Sequence, residues 1–178
     1  MRHPFRFLPI LIALALAFSS HGAIAGDGSA GDAAAVALVL VAAGISVHHD
    51  DREGLWQLAK SEAATLTITE VLKATVHEAR PNGQDQRSFP SRHASVAFSA
   101  AQFMQIRGGW AYGIPAYIVA AAVAADRVQL REHYTKDVIV GAIVGIASSA
   151  YFTDKPYRVS VGYLPGDRAV LAQVRMDW

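Results

Sequence analysis

The chain has 178 residues, of which 52% are hydrophobic and 17% charged, against about 25% charged in an ordinary soluble domain. A net charge of +1 excludes the basic stripe of a nucleic-acid binder, and the absence of cysteine excludes disulfides, thiolate metal sites and cysteine nucleophiles. The length fits one domain with a real core, and the composition leans towards a membrane or a very apolar helical bundle.

In chain order, residues 1–25 have a basic start (Arg2, His3, Arg6), an apolar stretch from Phe7 to Phe18, and Ala23-Ile24-Ala25 before Gly26. This is the layout of a secretory signal peptide with a small-residue cleavage site; uncleaved, it is a first membrane helix. Residues 26–32 read as a polar linker, and Ala33 to Val47 as an apolar helix. His48-His49-Asp50-Asp51-Arg52-Glu53 reads as a polar loop rather than a metal site, because adjacent histidines point to different faces. Leu55 to His77 has the spacing of an amphipathic helix.

Pro90 biases Phe89 away from helical geometry, and Ser91 is a good cap for a helix over 91–106. Arg107-Gly108-Gly109 breaks the chain. Trp110 to Ala125 is a further helix notched by Pro115, Asp126 to His133 a charged loop, and Asp137 to Phe152 the last helix. Gly141, Gly145 and Ser149 form a stripe of small residues on that helix for close contact with a neighbour. The tail over 157–178 alternates like a hairpin, Arg158 to Gly162 and Val170 to Val174, around Leu164-Pro165-Gly166-Asp167.

The expected fold is all-α, a bundle of about five core helices over residues 33–156, with a short hairpin-like tail. Apolar runs of about 13 to 16 residues fall short of the roughly 20 that cross a bilayer, which leaves a soluble bundle open. Alternation favours the membrane. If Gly26 is delivered to the periplasm, residues near 80, 91 and 127–133 reach the periplasmic side, and Arg52, Arg107, Lys155 and Arg158 the inside.

Three polar clusters then share one end. In Lys73-x6-Arg80-Pro81, seven residues on one helix place both cations about 20° apart, either as an anion ligand or as a pair snorkelling at a membrane edge. At Ser91-Arg92-His93, free N–H groups of a capped helix accompany a cation and an imidazole; this is either an anion site with an acid attached or a capped helix with a surface histidine. In Arg127-x5-His133-x3-Asp137, the i,i+4 carboxylate either orients a neutral imidazole as nucleophile or base, or makes a structural cap.

Taken in order, Lys73-x6-Arg80-Pro81, Pro90-Ser91-Arg92-His93 and Arg127-x5-His133-x3-Asp137 resemble the three signature motifs of the type 2 phosphatidic acid phosphatase family. That family shares its site with vanadium haloperoxidases and bacterial class A acid phosphatases. The resemblance implies that Lys73, Arg80, Arg127, Ser91 and the Arg92 backbone N–H bind phosphoryl oxygens, that His133 attacks phosphorus, that Asp137 holds it, and that His93 protonates the leaving group. It implies no metal and no cofactor.

Two residues depart from the pattern: Arg92 where the family usually has Gly, and Asp126 where it has Ser. Arg92 contacts a second phosphate or head group, or points to solvent. Asp126 weakens anion binding unless it pairs with Arg127 or Arg131. The short loop over 82–89 favours an open site. The resulting expectation is an inner-membrane phosphatase acting at the periplasmic face on a lipid phosphate or diphosphate such as phosphatidate, phosphatidylglycerol phosphate or undecaprenyl diphosphate. The alternatives are a soluble periplasmic acid phosphatase, a haloperoxidase, and a non-catalytic membrane protein that binds lipid head groups.

Overall fold

The computed structural model describes residues 29–164 and 169–176, with side chains over 30–156. Five helices follow one another: α1 Ser29–His48, α2 Arg52–Thr75, α3 Arg92–Gly108, α4 Trp110–Gln129 and α5 Thr135–Phe152. A two-stranded antiparallel hairpin closes the chain, β1 Tyr157–Leu164 with β2 Ala169–Met176, in register from Tyr157 opposite Met176 to Leu164 opposite Ala169. The segment with signal-peptide layout, residues 1–25, and the turn over 165–168 lie outside the described residues.

The helices are longer than their apolar runs. α1 begins at Ser29, inside the expected linker, and α4 continues through Asp126-Arg127-Val128-Gln129, expected as loop. Charged residues in a terminal turn lower the local hydropathy without ending the hydrogen-bond ladder. Among the described residues, three helices are consequently long and apolar enough to cross a membrane: Ala30–His48, Trp110–Gln129 and Thr135–Phe152.

Their faces are arranged inside out. α2 buries a polar stripe, Gln57, Ser61, Thr65, Thr69 and Lys73, with Leu58 beside it, while Trp56, Ile68 and Val71 are exposed. α4 turns Trp110, Ile114 and Ile118 outwards and α5 turns out Ile139, Ile143 and Tyr151, so apolar side chains cover the surface that a soluble bundle gives to polar ones. The buried interior is small and close: Ala97, Ala100 and Ala101 of α3 meet Ala116, Val119 and Ala120 of α4, with Leu38 and Phe103 filling the remaining volume.

The stripe on α5 is where that helix crosses α3. A Cβ built on Gly141 would lie 2.5 Å from the Ser91 carbonyl oxygen, and one on Gly145 would meet the Ser95 carbonyl and stand 2.8 Å from the Ser99 nitrogen. Gly145→Val therefore separates α3 from α5. Overpacking of a tight core costs about 1–3 kcal/mol, so the melting temperature in detergent is expected to fall by several degrees while Gly44→Val, where nothing stands within 4 Å, leaves it unchanged.

At the end of the bundle away from the signature residues, one arginine ties three elements. Arg107 donates from Nε to Asp51 Oδ2 at 2.8 Å and from Nη1 to Gln57 Oε1 and the Asp154 carbonyl, both at 2.9 Å. Asp51 also caps α2, accepting from the Gly54 N–H at 2.9 Å. The His48–Glu53 cluster thus caps and clamps helices.

Candidate active site

The bundle places the N-terminal turn of α1, the last turn of α2, the first turn of α3, the last turn of α4 and the first turn of α5 at one end. The three signature clusters meet there. Ser91 caps α3, its Oγ facing the Ala94 N–H at 3.5 Å, and its own N–H donates to the Asp137 carbonyl at 3.0 Å, so the heads of α3 and α5 are stitched together.

Two spacings expected on single helices are resolved differently. α2 ends at Thr75, where Val76 turns extended, so Arg80 does not share a helical face with Lys73. It reaches the site through a loop folded on itself: the Arg80 N–H donates to the Asp85 carbonyl at 2.9 Å and Arg80 Nε to Asp85 Oδ1 at 2.8 Å. The β-branched pair at the helix end helps this exit, with the Thr75 hydroxyl bonding the Val71 and Leu72 carbonyls. Likewise His133 precedes α5 rather than riding on it. Arg131 takes a left-handed φ of 56°, and the Glu132 and His133 N–H groups both return to the Arg127 carbonyl, at 3.1 and 3.2 Å.

His133 is buried. Its Nδ1 stands 3.9 Å from Asp137 Oδ2, beyond hydrogen-bond range, and neither His133 Nδ1 nor Asp137 Oδ1 has a partner among the described residues. Asp137 Oδ2 is already held by the Ser88 hydroxyl at 2.5 Å and the Tyr134 N–H at 2.9 Å. Burial, followed by the nearby charges of Lys73 and Arg80, pushes the His133 imidazole down to about 3, so it is neutral at physiological pH with a lone pair to give. Lys73, buried and facing the Arg87 and Ser88 carbonyls at 2.8 and 3.5 Å, is itself brought down to about 8 by burial and by Arg80.

Arg127 has 1% of its side chain exposed and gathers three carboxylates. Asp126 bonds Nε at 3.1 Å and also Nη2; Nη1 reaches Asp32 Oδ1 at 2.9 Å and Glu132 Oε2 at 3.0 Å. The unusual Asp126 therefore pairs with Arg127, and Glu132 also approaches Arg80 at 3.6 Å. His93 Nε2 meets the same Asp32 Oδ1 at 2.9 Å. Arg92 is exposed and faces Glu70 at 3.9 Å, at the mouth of a groove of about 320 Å³ lined by Ala35, Val36, Leu66 and Val96 with His93 and Asp32 at its polar end.

A buried neutral imidazole, three cations from separate elements and a second histidine at a helix head meet at this end of the bundle. The family model of the PAP2 superfamily matches residues 54–159, from the start of α2 into β1. The chain belongs to the PAP2 superfamily. All eight residues singled out from sequence lie within the matched span, and α1 lies outside it. Two curated relatives carry lipid phosphatase names. A Helicobacter pylori protein named lipid A 4'-phosphatase is 30% identical over 122 residues, covering 62% of this chain and 62% of its own length. A Porphyromonas gingivalis protein named lipid A 1-phosphatase is 32% identical over 91 residues, covering 47% of this chain and 20% of its own. The chain thus spans about three fifths of the first and one fifth of the second. No solved structure matches.

Of the eight residues singled out from sequence, Lys73, Arg80, Ser91, His93, Arg127, His133 and Asp137 come together at the bundle end, and Arg92 sits at its rim. Sequence reading missed Ser88, Asp32 and Glu132. Ser88 had a faint signal, a second hydroxyl two residues before Pro90; Asp32, 95 residues from Arg127, had none.

Proposed function

We propose that this chain is a lipid phosphate phosphatase that works through a phosphohistidine and faces the periplasm. The observation that carries the reading is His133, buried and neutral in the field of Lys73 and Arg80, with its backbone N–H on the Arg127 carbonyl at the same end of the bundle. The three cations spread over the phosphoryl oxygens and offset the charge that develops there, with Ser91 and the N–H groups at the head of α3 adding donors. A ring nitrogen of His133 attacks phosphorus and forms the P–N bond. The P–O bond to the leaving group breaks, its electron pair going to oxygen, and His93 gives that oxygen a proton. Water then attacks the phosphohistidine, giving its proton back to His93; inorganic phosphate leaves and His133 returns to its neutral form.

A lipid substrate is supported by the outward apolar faces, by three helices of spanning length, and by the names of the two relatives. The groove beside His93, apolar except at its head, suits an alkyl chain with its phosphate in the cradle. Orientation rests on the signal-like N-terminal segment and on Arg107 at the opposite end of the bundle from the site.

Phosphate release from vesicles carrying phosphatidate, phosphatidylglycerol phosphate or undecaprenyl diphosphate tests the reading. Release is expected from at least one of them, inhibited by vanadate and unchanged by a chelator, with the protein retained in the membrane fraction. Loss of activity on chelation, restored by a divalent cation, would overturn the metal-free scheme. No release from any lipid phosphate would leave a binding protein.

A further inference from the structure

α1 lies outside the span that matches the PAP2 superfamily, yet it reaches the centre of the site. Gly31 makes the approach possible. A Cβ there would collide with the Arg127 guanidinium and the Asp126 carboxylate, so the first turn of α1 is seated directly on the phosphate-binding arginine. The next residue, Asp32, places one oxygen 2.9 Å from Arg127 Nη1 and 2.9 Å from His93 Nε2. One carboxylate atom therefore bridges a phosphate ligand and the leaving-group acid, which are contributed by different helices.

We propose that Asp32 is a positioning residue for leaving-group protonation: it orients His93 against Arg127 and supplies the negative charge that favours the protonated ring. This rests on the phosphatase reading above. The need is physical, because His93 is an acid in a hostile setting. It is largely buried; Arg127 of α4 and its neighbour Arg92 press it towards the neutral form, and His133 stands close enough for the two rings to affect each other. Burial is the largest influence and the net effect is downward; Asp32 from α1 is the strongest opposing charge, with Glu132 of the following loop adding to it, while Glu70 of α2 faces Arg92. As the P–O bond breaks, the electron pair goes to the leaving oxygen, the His93 proton follows it, and neutral His93 remains hydrogen-bonded to Asp32, ready to accept the proton of the attacking water.

Asp32→Asn tests this. The amide oxygen can still accept from Arg127, so α1 stays docked, but the charge is gone and the amide N–H favours a neutral His93. The first measurement is the His93 titration by NMR in micelles, with ring nitrogens labelled and the signal assigned by its loss in His93→Gln. Its midpoint is expected to fall by roughly half to one pH unit, a carboxylate's effect discounted for the 56% exposure of Asp32. The second compares two esters. With octyl phosphate, whose alkoxide needs a proton, kcat/KM at neutral pH is expected to fall about tenfold, with the basic limb of its pH profile moved to lower pH and partial recovery in Asp32→Glu. With p-nitrophenyl phosphate, whose phenolate leaves without a proton, little change is expected.

An unchanged His93 midpoint overturns the proposal, as does an equal loss with both esters. A gain in activity with tighter vanadate inhibition overturns it too, since Asp32 would then be competing with phosphate for Arg127. If the wild type releases phosphate from neither ester and from no lipid phosphate, the phosphatase reading fails, and the titration still decides whether Asp32 favours the protonated form of His93.

Discussion

His133→Ala is expected to remove phosphatase activity altogether, a loss of about 10⁴-fold or more in kcat, while leaving the helical circular dichroism intact. Without the ring no atom at this position can form the covalent intermediate, and the cradle alone retains only the part of catalysis due to binding and charge. Asp137→Asn is expected to fall nearly as far for a different reason. Asp137 Oδ2 is 3.9 Å from His133 Nδ1, and neither that nitrogen nor the other carboxylate oxygen, Oδ1, has a partner among the described residues. A shift of about one ångström closes the gap, as catalytic hydrogen bonds often tighten only when substrate arrives. The carboxylate then steadies the imidazole as it gains charge, which an amide cannot do. Phosphate release with each variant, alongside trapping of a phosphorylated wild-type protein that His133→Ala does not give, checks both. A His133→Ala protein with wild-type turnover would sink the phosphohistidine.

How much of this site was legible in the sequence depends on how each residue reaches it. Ser91, His93 and the His133–Asp137 pair were readable because short segments carry them: a proline-primed cap, and a four-residue spacing that brings the two side chains to 3.9 Å although the helix begins only at Thr135. The Lys73–Arg80 spacing was readable as a pair of cations but not as geometry, since the helix ends at Thr75 and the loop from 76 to 90 does the placing. Asp32 was invisible. Its partners are 61 and 95 residues away, and only the packing of α1 on α3 and α4 brings it to them. The same blindness affected the helix ends: Asp126 and Arg127 looked like loop because they are charged, whereas they are charged because the last turn of α4 is part of the site.

The bundle's inversion of polarity joins the fold to the function. A helix such as α2 can bury Ser61 and Thr69 because their hydroxyls bond backbone and side chain, Ser61 to the Gln57 carbonyl at 2.8 Å and Thr69 to Ser95 at 3.1 Å, while Thr65 between them is small enough to be buried without a partner among the described residues. Small hydroxyl residues let α2, α3 and α5 approach closely. Close approach at one end is what brings Ser88, Ser91 and Asp137 within bonding distance. An apolar interior of large side chains would hold the helix heads too far apart for a cradle spanning three of them.

Arg127 is where stability and activity are bound together, and two substitutions separate them. Arg127→Met strips the cation from Asp32, Asp126 and Glu132. Asp126, with 12% of its side chain exposed, suffers most, because removing one partner of a buried pair typically costs about 3–5 kcal/mol through the charge left behind. Activity is expected to vanish and the melting temperature to drop sharply. Arg127→Lys keeps a charge but not the fork that serves three carboxylates and a phosphate together, so the fold is expected to survive while vanadate inhibition weakens by about 10²-fold, the worth of one or two charge-assisted hydrogen bonds. The deciding variant is Asp126→Asn with Arg127→Met. Neutralising the stranded carboxylate restores much of the melting temperature, because the penalty was electrostatic. It does not restore phosphate release, because no donor then stands where the phosphoryl oxygens bind. Recovery of both together would mean that Arg127 serves the fold alone and that Lys73 and Arg80 suffice to hold the phosphate.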